Sequence, residues 1–198
     1  DYLRIESLYD RVRIPVLTLS GWHDEGYGPN GAAHNFLGTR QWGGKLVIGP
    51  WTHGTPTPKK TRVGALDFGK DAGLDYFDLL LRFFDRWLKG AANGIDREAP
   101  VRIFVMGDNA WRDEAEWPLA RARPTPYCLR PPGRLPTDAP AEPESADGYV
   151  YDPADPVVDP HQGRLGPFDQ SPLVARHDVL VYKSEPLAKD LEVTGPIE

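Results

Sequence analysis

The sequence has little of several features that would assign a class by themselves. Its 198 residues include one cysteine, Cys128, which excludes an intrachain disulfide framework and a site of several thiolate metal ligands. No apolar run approaches the ~20 residues of a membrane-spanning helix. Basic residues number 23 against 29 acidic ones, and a net charge of −6 argues against nucleic acid as a partner. We therefore expect a soluble globular protein with neither a membrane nor a nucleic acid as its partner.

The start of the chain also lacks a methionine and the pattern of a signal peptide. It begins at Asp1 rather than methionine, and the opening residues have neither the apolar run nor the basic flank of a signal peptide. We expect an internal piece of a longer protein. A single cysteine does not declare the compartment, although it allows a reducing one, and a cytoplasmic location is our expectation.

Proline is distributed unevenly and divides the chain. Thirteen of the 21 prolines lie in residues 118–172, a density that forbids long helices there. Before residue 99, short apolar runs alternate with helical patterns. We predict two domains, residues 1–98 and residues 99–198.

The first domain has an α/β pattern. Residues 15–20 and 45–48 are short, nearly continuous apolar runs, each ended by glycine, which is typical of strands buried on both faces of a parallel sheet. Residues 30–42 between them have the length of a crossover helix. A strand, a helix and a strand in this order indicate an α/β fold.

A second helix is predicted over residues 72–89. Asp71 is placed to cap it, and Lys89 with Gly90 closes it. Apolar residues recur there at steps of three and four, which predicts one apolar face. That face comprises Leu74, Phe77, Leu80, Leu81, Phe84, Trp87 and Leu88.

The second domain has strand patterns without intervening helices. Residues 101–106, 178–183 and 191–194 are predicted strands, separated by turns rich in proline and glycine. Strands in this arrangement indicate a β-sandwich or jelly roll, which usually needs seven or eight strands. We find only four or five, so we expect an incomplete β domain.

Polar residues follow the two strands of the first domain. Asp24 lies after the first strand and His53 after the second, and open α/β sheets place ligands at these strand ends. Neighbouring strands are ~5 Å apart, so the carboxylate and the imidazole can form a hydrogen bond. An aspartate bonded to one ring nitrogen leaves the other as a general base. On spacing alone, a turn aspartate and a solvated loop histidine remain the alternatives.

Several sequence blocks occur together in one order. They are GWHD, GPWTHG, FDRWLKG, VRIFVMGDNAWRDEAEWPL, YDPADP, GPFDQ and DVLVYKSEPLAKDLEVTG. This series resembles the CocE/NonD family of serine hydrolases, a group related to cocaine esterase, α-amino-acid ester hydrolases and X-prolyl dipeptidyl-peptidases. The resemblance implies the C-terminal part of an α/β-hydrolase fold followed by the first part of a jelly roll. It places Asp24 as the acid and His53 as the base of a catalytic triad.

The nucleophile of that family is missing from the sequence. Its serine lies in a G-x-S-x-G turn upstream of the acid. None of the five serines here has a glycine both two residues before it and two residues after it. Ser20 is the only one near Asp24, but it ends a strand instead of occupying a strand-to-helix turn. We therefore expect a fragment of a Ser-His-Asp hydrolase that cleaves the ester or amide bonds of small acyl substrates or short peptides, including X-Pro dipeptidyl bonds, without a cofactor.

The expected fragment has consequences for partners and activity. The serine would belong to a missing N-terminal segment, so the piece alone should be inactive. Two strands cut from a larger sheet would expose an edge and apolar faces. We expect association with the missing segment or with a second copy as a homo-oligomer.

Four further residues are candidates for substrate binding: Trp22, Glu25, Tyr27 and Trp51. Glu25 could hold the amine of an amino-acyl substrate, and the aromatic residues could line an acyl pocket; a solvated charge and packing aromatics are the alternatives. No H-E-x-x-H or H-x-H spacing supports a metal site. A rival function is a non-catalytic β-sandwich module that binds a partner.

Overall fold

The computed structural model describes residues 5–26 and 28–197. These residues form two compact units. The first reaches to Ala120 and includes Leu165–Phe168, and the second comprises Arg121–Arg164 and Asp169–Thr194. In the described part of the chain, no helix combines the length and hydropathy needed to cross a bilayer.

The first unit is built on a four-stranded mixed sheet. Its strands are β1 (Leu17–His23), β2 (Lys45–Thr52), β5 (Val101–Val105) and β6 (Ala110–Glu114), in that spatial order. The first three are parallel, and β6 returns antiparallel to β5. Strand β1 forms one edge of this sheet. Every residue of β2 is buried, as its continuous apolar run predicts.

Helix α1 (Gly28–Thr39) makes the crossover between β1 and β2, close to the predicted residues 30–42. Its buried face packs onto the sheet. The shared core contains Ala32, Ala33, Phe36, Leu46, Ile48, Val101, Ile103, Trp117 and Leu119. The sheet and this helix give the α/β architecture that the sequence indicates.

The sheet continues past the predicted domain boundary. Strand β5 begins at Val101, inside the segment assigned to residues 99–198, yet it pairs in parallel with β2 through Leu46, Val47 and Ile48. Its identity as a strand is confirmed. Strand β6 was not predicted, because its residues are largely polar and partly exposed.

The second helix of the first unit, α2 (Tyr76–Lys89), starts four residues later than predicted. Asp75 is its N-cap and accepts a hydrogen bond from the backbone N–H of Asp78 at 3.0 Å, so the assignment of Asp71 as the cap is wrong. Asp71 lies instead in a short 3₁₀ helix, Lys70–Ala72. The helix closes at Gly90, whose φ of 71° is the left-handed conformation that glycine adopts easily.

The predicted apolar face of α2 is largely exposed. Among the helix residues only Phe83 is buried, whereas Phe77, Leu81 and Leu88 expose 68%, 63% and 77% of their surface. The helix is amphipathic as predicted, but its buried residue, Phe83, does not belong to the predicted apolar face. Within the described residues, most of the predicted face lies at the surface.

The remaining elements of the first unit are short. They are β3 (Arg62–Val63) paired with β4 (Leu66–Asp67), and the 3₁₀ helices Glu6–Arg11, Arg40–Trp42 and Ile95–Arg97. The first unit also has a second core cluster. It contains Val63, Phe68, Ala72 and Phe104.

The second unit has little regular structure. The strands predicted at residues 178–183 and 191–194 do not form: Lys183 makes one isolated bridge to Arg134, and residues 191–194 have no strand pairing. A strand is defined by a hydrogen-bonded neighbour, and an apolar run alone supplies none. The unit contains one helical turn, α3 (Ser171–Val174). It also contains a bidentate ion pair, in which Arg176 donates to Asp178 at 2.7 and 2.8 Å.

Candidate active site

Two loops meet where the parallel strands β1 and β2 end. Asp24 directly follows β1 and His53 directly follows β2. The two strands approach closely here, as the space around Gly21 shows: a Cβ on this residue would lie 2.0 Å from the backbone oxygen of Trp51. Only glycine fits at that position. The close approach brings the following loops side by side at the carboxyl edge of the sheet.

The carboxylate and the imidazole are in hydrogen-bond contact. Nδ1 of His53 lies 3.1 Å from Oδ1 of Asp24, with 11% of the Asp24 side chain and 51% of the His53 side chain exposed. The contact expected from the sequence is therefore present. The catalytic role of the pair stays a prediction.

Backbone near Asp24 helps to fix this geometry. The N–H of Gly26 donates to Oδ1 of Asp24 at 3.0 Å. A Cβ on Gly26 would lie 3.0 Å from Nδ1 of His53 and 3.3 Å from Oδ1 of Asp24. A larger residue would therefore press on both partners of the pair.

This arrangement has a defined chemical capacity. The carboxylate binds the Nδ1 edge of the ring and so favours the tautomer with its proton on Nδ1. Nε2, on the other side of the ring, is then the basic nitrogen. An imidazole oriented in this way can take a proton from a hydroxyl nucleophile and return it to a leaving group.

A hydroxyl contact was missed by the sequence reasoning. Ser20, in β1, donates to Oδ2 of Asp24 at 3.2 Å and is buried. From the sequence, Ser20 was a candidate only for the nucleophile. It lies four residues before Asp24, and because Asp24 lies beyond the end of β1, strand geometry does not predict a contact between the two side chains.

A cavity of about 700 Å³ adjoins the Asp24–His53 pair. It lies within the first unit, between the carboxyl edge of the sheet and the start of α1. Its walls include Tyr9, Ala32, Asn35, Trp51, Pro56 and Tyr76. The phenol of Tyr9 donates to the side-chain oxygen of Asn35 at 2.9 Å.

Two family models match the chain. The X-Pro dipeptidyl-peptidase C-terminal non-catalytic domain matches residues 93–198, and the X-Pro dipeptidyl-peptidase (S15 family) model matches residues 2–55. The chain belongs to the CocE/NonD family of serine hydrolases. This confirms the resemblance found in the sequence blocks.

Individual relatives agree with the family match. The cocaine esterase of Rhodococcus sp. (strain MB1 Bresler) is 35% identical over 212 residues, covering 96% of this chain and 36% of the esterase. A solved α-amino acid ester hydrolase has a TM-score of 0.76 at 26% identity, covering 96% of this chain and 35% of that one. An aminopeptidase from a marine sediment archaeon, Thaumarchaeota archaeon, has a TM-score of 0.74 at 26% identity, covering 92% and 33%. The chain thus spans about a third of the length of these CocE/NonD relatives.

Glu25, one of the four predicted substrate residues, lies in the loop after β1. Glu25 is exposed, and its Oε2 lies 3.5 Å from the backbone N–H of His53, so the carboxylate links the two loops of this CocE/NonD chain. Tyr27 lies outside the described residues.

The two tryptophans among those predictions are packed. Trp22 donates from Nε1 to the backbone oxygen of Phe104 at 2.8 Å, and its ring lies 6.1 Å from that of Trp117. Trp51 is 1% exposed and donates to the backbone oxygen of Ala72 at 3.0 Å. The structure gives both residues packing contacts, and only Trp51 also borders the cavity.

His23 is a partly buried imidazole next to Asp24. Its ring centroid lies 6.1 Å from that of Phe68, and its Nε2 is buried without a hydrogen-bond partner among the described residues. Burial lowers the pKa of His23 below its ordinary value, and the nearby charge of Glu25 opposes that effect. We therefore treat His23 as neutral at pH 7.

This burial predicts a loss of stability in mild acid. The unfolded chain takes up a proton on His23 near pH 6.5, while the folded chain takes it up only at lower pH, so stability falls as the pH drops below ~6.5. Urea midpoints at about pH 7.5 and about pH 5.5 measure the effect. We expect His23→Phe, which keeps an aromatic ring against Phe68, to reduce the difference between the two midpoints. An unchanged difference would show that other groups cause the loss.

Metal ligands are not grouped in the described ranges, 5–26 and 28–197: nowhere in them do three histidine, cysteine, aspartate or glutamate side chains come together as a metal site.

Proposed function

We propose that this chain supplies the acid and the base of a Ser-His-Asp triad in a serine hydrolase. Asp24 orients His53, and His53 acts on a serine that lies in a preceding segment of the same enzyme. The observation that carries the proposal is the 3.1 Å contact between Oδ1 of Asp24 and Nδ1 of His53 at the ends of neighbouring parallel strands. The missing G-x-S-x-G motif agrees with a serine located elsewhere.

The proposed reaction is acyl transfer to water. Nε2 of His53 takes the proton of the serine hydroxyl as the serine oxygen bonds to the acyl carbon, and the protonated ring then gives that proton to the departing alcohol or amine. Water attacks the resulting acyl-enzyme by the same proton route and releases the acid. Asp24 stabilises the imidazolium formed in each half of the cycle.

The proposed substrates are acyl esters, amides or short peptides. The relatives are named as an esterase, an ester hydrolase and an aminopeptidase, so they span ester and amide bonds. We propose that Glu25, exposed beside the His53 loop, attracts the amine of an amino-acyl substrate. Trp51 forms part of the cavity wall, whereas Trp22 and Tyr27 remain predictions as substrate residues.

We propose that residues 99–198 contribute no catalytic residue. Residues 99–198 fall within the match to a non-catalytic C-terminal domain, and the Asp24–His53 pair lies wholly in residues 1–98. We propose that residues 99–198 contribute to a jelly roll in the complete enzyme. The rival function is that the whole chain is a non-catalytic module that binds a partner.

Reconstitution tests the proposal. The segment encoded before Asp1 is mixed with this chain, and hydrolysis of a p-nitrophenyl ester is measured. We expect no turnover by the chain alone and turnover by the mixture, with a fluorophosphonate probe labelling only the preceding segment, because that segment holds the serine. Light scattering reports whether the two pieces associate or the chain binds a second copy instead.

Two outcomes would contradict the proposal. Full turnover by the chain alone, with the probe attached to it, would place the nucleophile within these 198 residues. A stable but inactive complex would favour the partner-binding module.

A further inference from the structure

The Asp24 carboxylate has a different partner on each oxygen. Oδ1 faces His53 and also accepts the N–H of Gly26, while Oδ2 accepts the hydroxyl of Ser20 at 3.2 Å. An ionised carboxylate can only accept hydrogen bonds, so the serine is the donor. The Ser20 contact therefore lies on the oxygen that His53 does not use.

The donor is held by a rigid part of the sheet. Ser20 is 6% exposed and is paired in register with Ile48 of β2, which is fully buried. Asp24, by contrast, lies in the loop beyond β1. The hydroxyl thus connects a side chain on a loop to a fixed point in the core.

We propose that Ser20 is a positioning residue that sets the rotation of the Asp24 carboxylate. This inference rests on the proposed function. A carboxylate on a loop side chain rotates about its last bond, and a donor on Oδ2 limits that rotation to orientations in which Oδ1 points at Nδ1 of His53. Ser20 acts through Asp24 and does not contact the substrate.

This role differs from that of a nucleophile. The hydroxyl proton of Ser20 is directed to the carboxylate, and the residue lies within the strand that precedes the acid instead of at a turn into a helix. A nucleophile would need its proton directed to the base. The geometry of Ser20 fits support of the acid.

The kinetic test uses the reconstituted enzyme with Ser20→Ala. We expect kcat to fall about 10- to 100-fold with KM nearly unchanged, as suits the loss of a hydrogen bond to a charged group that acts in the transition state. Ser20→Thr keeps a hydroxyl at the same Cβ and should restore most of kcat. Equal kcat values for wild type and Ser20→Ala would overturn the proposal, as would a loss that appears only in KM.

A spectroscopic test separates positioning from general damage to the fold. In proton NMR of the chain, the Nδ1–H resonance of His53, assigned by its loss in His53→Ala, should shift or broaden in Ser20→Ala. Thr18→Val is the matched control, because it removes another buried hydroxyl from β1, one that makes no hydrogen bond within residues 5–26 and 28–197. An unshifted resonance in Ser20→Ala, or the same shift in both variants, would contradict the proposal.

The two levels of inference fail differently. If the reconstituted wild type is inactive, the proposed function fails. If it is active, depends on His53 and tolerates Ser20→Ala with unchanged kcat, the function stands and the positioning role is wrong.

Discussion

Replacing His53 with alanine in the reconstituted enzyme is expected to lower kcat on the order of 10⁶-fold. The imidazole would be the only group that both removes the serine proton and returns it to the leaving group, so no step of the cycle retains its proton carrier. Binding should change little, because the other residues that line the cavity stay in place. The measurement is the steady-state rate on a p-nitrophenyl ester.

Two further variants are compared with His53→Ala. Asp24→Asn keeps the shape of the acid but changes its hydrogen bonding, and should lower kcat by about 10⁴-fold through the wrong imidazole tautomer. His177→Ala is the matched control, since His177 is an exposed histidine of the second unit. It should leave kcat within about twofold, as expected for a surface substitution. A His53→Ala enzyme that keeps its rate would remove His53 from the mechanism.

The carboxyl edge of the sheet could be predicted from the sequence for a physical reason. Strands buried on both faces have continuous apolar runs, and β1 and β2 have such runs. Parallel neighbours end at the same edge, which places Asp24 and His53 on adjacent loops. Strand spacing brings the two side chains within reach of a hydrogen bond, but spacing alone leaves a turn aspartate and a solvated loop histidine as alternatives.

The contacts around that pair could not be predicted in the same way. Whether the Ser20 hydroxyl reaches Asp24 depends on the path of the loop after β1, which strand periodicity does not determine. The packing of Trp51 against Ala72 depends on a 3₁₀ helix 21 residues later in the chain. Side-chain contacts across loops are set by tertiary structure.

Local patterns also misplaced some elements. Asp71 and Asp75 both precede the apolar period of α2, and both residue types cap helices, so spacing alone did not separate them. Strand β6 alternates too weakly between apolar and polar residues to be found, and it forms because β5 provides an edge to pair with. Residues 178–183 show the opposite error. Their apolar run predicts a strand, but no strand forms there, because Lys183 pairs only through an isolated bridge.

Replacing Trp51 with alanine is expected to cost about 3–5 kcal/mol of unfolding free energy. The residue is 1% exposed, and its ring fills the space that a Cβ on Gly49 would enter, since such a Cβ would lie 2.5 Å from the ring atoms. The ring also lies 5.5 Å from that of Trp111. Truncation would leave a cavity between β2 and its neighbours and remove the hydrogen bond to Ala72.

The size of this loss decides between two roles for Trp51. A residue that only lined an acyl pocket would alter KM and leave the urea midpoint almost unchanged, whereas a buried anchor must lower the midpoint because its contacts exist without substrate. Trp42→Ala is the matched control, since Trp42 is 41% exposed and its loss should cost much less. Because Trp51 directly precedes Thr52 and His53, a destabilised β2 end should also lower kcat. An unfolding free energy equal to that of the wild type would show that the ring is not the anchor of this strand end.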